Sequence, residues 1–224
     1  MKHALIFDLD GTIFKTESIV LKAYRQTFHD LARMGFYHGA IPSDAEFLST
    51  LGKIIPEIWA QLLPGASPEI KSKAAELMGN HEEKLLKSGE GMLFHGVDQT
   101  LTALKNRGCL LYVASNGTQH YIETVAYYTG IKNLFSGLYS SGGRKTKNKT
   151  ELVKILLEEN EISSKNAVII GDRFHDVAAG KELGLKVIGC KFGYGALEEL
   201  KEADIIIDSF PEIMDGLAAL KIIA

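Results

Sequence analysis

With 224 residues, 46% apolar and 24% charged side chains and only five prolines, the chain has material for one globular domain, or for a core carrying a smaller insert, and no disorder signature. A formal net charge of −3 provides no basic face for nucleic acid or an anionic membrane, so the expected partner is a small molecule. The run Ala4-Leu5-Ile6-Phe7 meets Asp8 too soon to be a signal-peptide core, and no apolar segment has membrane-spanning length, so a cytoplasmic location is expected.

In chain order, an apolar run over residues 3–9 reads as a buried strand. Residues 15–91 then show apolar spacing of helical type: one helix over 16–34, one or two over 43–63, and another that starts at Ser67-Pro68 as N-cap and first helical proline. Gly39 to Pro42 and Pro64 to Pro68 supply turns, and Ser88-Gly89-Glu90-Gly91 reads as a hinge. Beyond it, short Val- and Ile-rich runs over 109–115, 167–171, 185–190 and 205–207 read as strands, alternating with amphipathic stretches over 118–129, 149–159 and 176–183. Gly130 and Gly184 stand as helix stops. This alternation predicts an α/β fold: a doubly wound, Rossmann-like parallel sheet (1–14 and 92–224) with an inserted all-helical cap domain (15–91). Cys109 and Cys190 lie in or beside strand-like runs, where free cysteine is a small buried hydrophobe and a structural disulfide is not expected.

Carboxyl ends of parallel strands line the ligand crevice, which singles out three places. After the first strand, Asp8-Leu9-Asp10-Gly11-Thr12 crowds two acids that want a cation, with an Asx-type turn as the plain structural alternative. Ser115-Asn116-Gly117-Thr118 opens a helix and presents hydroxyl, carboxamide and backbone N–H groups, either as a phosphate cradle or as a simple N-cap. Gly171-Asp172-Arg173-Phe174-His175-Asp176 places one acid at a strand end and a second at a helix start, in a metal site or as an acidic cap. Of the basic run Arg144, Lys145, Lys147 and Lys149, most reads as solvated surface. Lys149 is best placed to neutralise a phosphate, since it starts the pattern Leu152, Val153, Leu156, Leu157, and Lys147 is the alternative. Neither a P-loop nor a dinucleotide fingerprint is present, and the histidines do not cluster with cysteines at zinc spacing. His175 falls near the site by position, His95 and His120 read as surface or supporting groups, and Trp59 reads as helix packing.

In this order the four segments resemble the four signature motifs of the haloacid dehalogenase superfamily, with the insert where members with a small helical cap carry theirs. The resemblance implies a phosphoric monoester hydrolase. Asp8 would attack phosphorus and form an aspartyl phosphate, Asp10 would act as acid and base, and Ser115, Asn116, Lys149 and Thr12 would contact the phosphate. Asp8, Asp10 through its backbone carbonyl, and Asp172 would bind Mg²⁺, with Asp176 supporting the lysine. The second acid, Asp10, separates this chain from dehalogenating relatives. Asn148-Lys149-Thr150-Glu151-Leu152 and Gly193-Tyr194-Gly195 resemble the phosphoglycolate-phosphatase-like branch, although Phe94-His95-Gly96 lacks the usual proline before glycine. The expected substrates are small phosphorylated metabolites, phosphoglycolate-like or nucleoside 5′-monophosphate-like, handled by a monomer or homodimer. The alternatives are a phosphomutase acting on a sugar phosphate and a non-catalytic phosphate-binding regulatory protein. Gly52-Lys53 reads as substrate-facing or as plain helix surface, and the cap is expected to open and close about Lys15 and Ser88.

Overall fold

The computed structural model describes residues 3–223. The strands are β1 (Ala4–Phe7), β2 (Phe14–Lys15), β3 (Met92–Leu93), β4 (Leu110–Ser115), β5 (Gly137–Ser140), β6 (Ala167–Gly171), β7 (Lys186–Cys190) and β8 (Ile205–Ile207). The helices are α1 (Glu17–Arg33), α2 (Asp44–Leu48), α3 (Ile55–Leu62), α4 (Pro68–Lys87), α5 (Val97–Asn106), α6 (Gln119–Tyr128), α7 (Ser141–Arg144), α8 (Lys149–Glu159), α9 (Phe174–Leu183) and α10 (Ile213–Ala219).

Six strands form one parallel sheet in the order β5-β4-β1-β6-β7-β8. Because helices cover both faces, the strands carry apolar residues on both sides. Leu5 and Phe7 join Leu111, Val113, Val168 and Ile170 in one core, while Ala4 and Ile6 join Tyr112, Ala114, Ala167 and Ile169 in the other. The central strand β1 lies between β4 and β6, so the carboxyl ends of three adjacent strands deliver Asp8, Ser115 and Asp172 to one place, the crevice where open α/β sheets bind ligands.

Helices α1 to α4 form the cap around a separate core that includes Tyr24, Phe28, Phe47 and Trp59. Tyr24 stacks on Phe47 at 4.2 Å between ring centroids, and Trp59 is buried there as packing. Ser67 caps α4 through Ile70 N, and a capping box between Ser43 and Glu46 starts α2. The stretch over 43–63 resolves into two helices because Gly52, at φ +88°, breaks it.

Several elements lie outside the sequence reading, the short helices α7 and α10 among them. The edge strand β5 is four residues long and begins with glycine, too short for a periodic signal. Helix α5 follows Gly96, whose φ of +79° begins it without a side-chain cap, so no capping residue marks its start in the sequence. At the base of the cap, beside the expected hinge segments near Lys15 and Ser88, β2 and β3 pair antiparallel, Phe14 with Leu93 and Lys15 with Met92, tying together the two chain crossings.

Candidate active site

The turn after β1 is set by Gly11, whose φ of +78° suits glycine and whose added Cβ would lie 2.5 Å from Asp172 Oδ2. That close approach lets the β1 and β6 loops share one carboxylate cluster. Asp8, Asp172 and Asp176 are buried and offer oxygens that lie within 4.8 Å of one another. Asp172 is held by Tyr194, whose backbone N donates to Oδ2 at 2.6 Å, and by the Thr12 hydroxyl, which donates to Oδ1 at 3.3 Å. Thr12, expected at the phosphate, is thus fully buried and turned to this acid.

Lys149, the first residue of α8, is buried, and its Nζ donates to Asp8 Oδ1 at 2.6 Å and to the Ala114 carbonyl at 2.8 Å. Asp176 Oδ1 lies 3.0 Å from the same Nζ, an ion pair without hydrogen-bond alignment, so this buried oxygen keeps an unused lone pair. Its Oδ2 accepts from Arg173 N at 3.1 Å at the start of α9. Lys147 is exposed, and Arg144 pairs with Glu159, so Lys149 alone of the basic run reaches the cluster.

Burial pushes the Asp8 carboxyl up to about 6, opposed by Lys149 and reinforced by Asp176. Asp172 is raised well above the usual carboxylate range by burial and then by Asp8 and Asp176. Burial works against the Lys149 charge, but Asp176 and Asp8 outweigh it and hold the amine above its ordinary value. Three buried acids sharing one lysine leave uncompensated negative charge. Hard oxygen donors, mutual repulsion and an unused carboxylate oxygen are what a divalent cation fits.

Asp10 stands apart from that cluster. Its Oδ1 accepts from the Thr16 hydroxyl and from the Tyr121 hydroxyl, both at 2.6 Å. Burial pushes it up to about 6 while these two donors pull it down, which poises it for proton exchange near neutrality. Tyr121 follows from the capping of α6: Thr118 accepts from Tyr121 N at 3.1 Å, which sets the first turn facing Asp10. The helix therefore starts at Gln119, and residues 116–118 join it to Ser115, the last residue of β4. Ser115 Oγ accepts from Gly117 N at 3.1 Å. Asn116 accepts from the Ser141 hydroxyl at 3.0 Å and donates to the Gly52 carbonyl at 2.9 Å, so its amide joins core to cap.

Asp8, Asp10, Ser115, Asn116, Lys149 and Asp176 all line one cavity, closed above by the cap. Gly52, Lys53 and His175 line it too, whereas His95 is exposed and His120 pairs with Glu83 at the surface. Thr16, Tyr121 and Glu82 also line it and were not anticipated, because nothing in a helical stretch says which face meets the crevice.

The chain matches the haloacid dehalogenase-like hydrolase family over residues 5–190. It belongs to that family. It is 27% identical over 201 residues to a 5′-nucleotidase of Pseudomonas aeruginosa, covering 88% of this chain and 86% of the relative. Over 225 residues it is 26% identical to a phosphoglycolate phosphatase of Vibrio cholerae, covering 94% and 95%. The fold is also that of a solved β-phosphoglucomutase from Clostridium difficile, with a TM-score of 0.79, 23% identity and 99% and 97% coverage. This member of the haloacid dehalogenase-like hydrolases is an enzyme, a hydrolase of the phosphatase type, with a Rossmann-like core and a helical cap. Among the described residues no helix is long and apolar enough to cross a membrane.

Proposed function

We propose that this hydrolase cleaves small phosphate monoesters through an aspartyl phosphate on Asp8, with Mg²⁺ as cofactor. The observation that carries the reading is the pairing of Asp8 with Lys149 at 2.6 Å beside a second, separately held carboxylate, Asp10, in one cavity. An Asp8 oxygen attacks phosphorus, the P–O bond to the alcohol breaks, and Asp10 gives its proton to the departing oxygen. Asp10, now ionised, takes a proton from a water that attacks the phospho-aspartate; phosphate leaves and Asp8 is restored. Lys149, with Ser115 and Asn116, neutralises and orients the phosphoryl oxygens, and Asp176 fixes the lysine. Asp8, Asp172 and the Asp10 backbone carbonyl would hold the cation, which supplies positive charge that lets an anionic nucleophile approach an anionic phosphate.

Residues 15–91 act as the cap and residues 1–14 with 92–224 as the core, the β2–β3 pair being the base about which the cap opens. Its closure over the cavity excludes bulk water during attack. Release of inorganic phosphate from para-nitrophenyl phosphate with Mg²⁺ tests the reading, and Asp8→Asn is expected to lower turnover by roughly 10³-fold or more. An Asp8→Asn enzyme that kept full activity would sink the mechanism. Since a mutase shares the fold, sugar-phosphate isomers formed without free phosphate would point to the phosphomutase alternative.

A further inference from the structure

The loop Gly193-Tyr194-Gly195 follows β7 and lies against the carboxylate cluster. Both glycines are needed for that approach: a Cβ at Gly193 would run into the Asp172 side chain and the Gly11 carbonyl, and one at Gly195 into the Asp172 carbonyl. At this close range the backbone N of Tyr194 donates to Asp172 Oδ2 at 2.6 Å. Its ring covers the turn after β1, where a Cβ on Gly11 would come within 2.7 Å of it. The ring also packs against the cap core, and its hydroxyl reaches Glu17, the first residue of α1 and 177 positions away in the chain.

That contact supplies what α1 lacks. The first N–H groups of a helix have no partner within it, and Thr16, at the N-cap, gives them no side-chain bond, its hydroxyl donating to Asp10 instead. The Tyr194 hydroxyl takes the place of the missing cap: it accepts from Glu17 N at 3.3 Å and donates to the Glu17 carboxylate. One residue thus holds an acid of the carboxylate cluster by its backbone and the start of the first cap helix by its side chain. Whatever fixes Asp172 fixes the loop, and a fixed loop keeps the hydroxyl at the end of α1. When the cap swings away about the β2–β3 pair, Glu17 leaves the hydroxyl and the loop loses its outer anchor, so the two events favour or disfavour each other.

We propose that Tyr194 is a positioning residue that links cation binding at Asp172 to seating of the cap on the core. The inference rests on the cation site of the phosphatase reading above and adds to it a route by which an occupied site steadies the cap. Amide hydrogen exchange of the full chain, with and without Mg²⁺ at a saturating level set by calorimetric titration, tests it. In the wild-type protein Mg²⁺ is expected to slow exchange over residues 17–21, the first turn of α1, by about fivefold or more. Such amides exchange by local opening, so the change reports the helix start and not global stability. Tyr194→Phe keeps the backbone N–H and the ring; it should still bind Mg²⁺, while the slowing drops to within about twofold. A role confined to holding the fold would raise exchange equally with and without Mg²⁺ and leave their ratio as in the wild type. An unchanged ratio in Tyr194→Phe, a wild-type ratio near one with Mg²⁺ bound, or loss of Mg²⁺ binding in Tyr194→Phe overturns the inference. Hydrolysis of para-nitrophenyl phosphate by the wild-type protein then leaves the phosphatase reading standing, whereas a wild-type protein that neither binds Mg²⁺ nor hydrolyses that ester overturns both.

Discussion

Asp10 is two residues from Asp8, yet the two carboxylates live in different surroundings. Asp8 faces Lys149 and two acids, whereas Asp10 faces two hydroxyls. Neighbouring acids take different roles when their environments differ, and here the difference comes from Tyr121 and Thr16. Tyr121→Phe removes one charge-assisted hydrogen bond from a poised acid while leaving the packing of its ring. Such a bond is worth about 1.5–3 kcal/mol, so kcat is expected to fall roughly tenfold to a hundredfold with far-UV circular dichroism unchanged. Wild-type kcat in Tyr121→Phe would mean that Asp10 needs no such donor. Asp8, Asp10 and Asp172 are legible in the sequence because they lie at or within three residues of the carboxyl end of a readable strand. Tyr121 and Glu82 are not, because a helix shows its apolar stripe but not its azimuth against the neighbouring domain.

At the scale of elements, the sheet edge is fastened by a side chain with no part in the chemistry. Asp204, just before β8, accepts from Val187 N at 2.9 Å and pairs with Lys186 at 3.1 Å and Lys181 at 3.3 Å. Although burial opposes it, the Val187 N–H and the two lysines hold its carboxyl below the ordinary value of 3.8. A depressed folded-state pKa contributes stability above the unfolded value, and that contribution is lost as pH falls through the folded one. Asp204→Asn is therefore expected to destabilise by about 1 kcal/mol at pH 7. The gap should close below pH 3.8, as read from urea midpoints across that range. A constant gap would show that packing, not charge, is responsible. The strand β5 and the β2–β3 pair show the opposite case: their partners, not their own residues, make them strands, so their sequences carried no periodic signal.

For the whole molecule, two features couple the parts. The first is charge: Asp8, Asp172 and Asp176 are buried together against one lysine, so a cation that binds only the folded state stabilises it. Mg²⁺ at a hundredfold excess over its Kd is expected to add about 2.7 kcal/mol, raising Tm by about 5–10 °C. Asp172→Asn should abolish that shift, and removal of Mg²⁺ by a chelator should reverse it. A shift retained in Asp172→Asn would place the cation elsewhere. The second is cap docking. Arg173 donates to the Leu51 carbonyl and Asn116 to the Gly52 carbonyl, and a Cβ at Gly52 would come within 3.2 Å of the Arg173 guanidinium. Arg173→Ala removes a charged hydrogen bond worth about 1.5–3 kcal/mol, so amide exchange across residues 49–54 should quicken by about tenfold or more while that of β1 and β6 stays put. Equal exchange in both proteins would mean that the cap is held by other contacts.

The alternating α/β order, the helical insert and the residues at the strand ends can be read without any coordinates, because they rest on local periodicity and on the rule that a parallel sheet gathers its carboxyl ends. Three-dimensional packing was needed to show that Lys149 rather than Lys147 reaches Asp8, that Thr12 turns to Asp172, that Asn116 bridges to the cap, and that Glu82 lines the cavity. Those choices depend on how helices rotate and dock across long stretches of chain, from the 64 residues between Asn116 and Gly52 to the 141 between Lys149 and Asp8. Packing of one apolar face against another sets that rotation, and no local pattern encodes it.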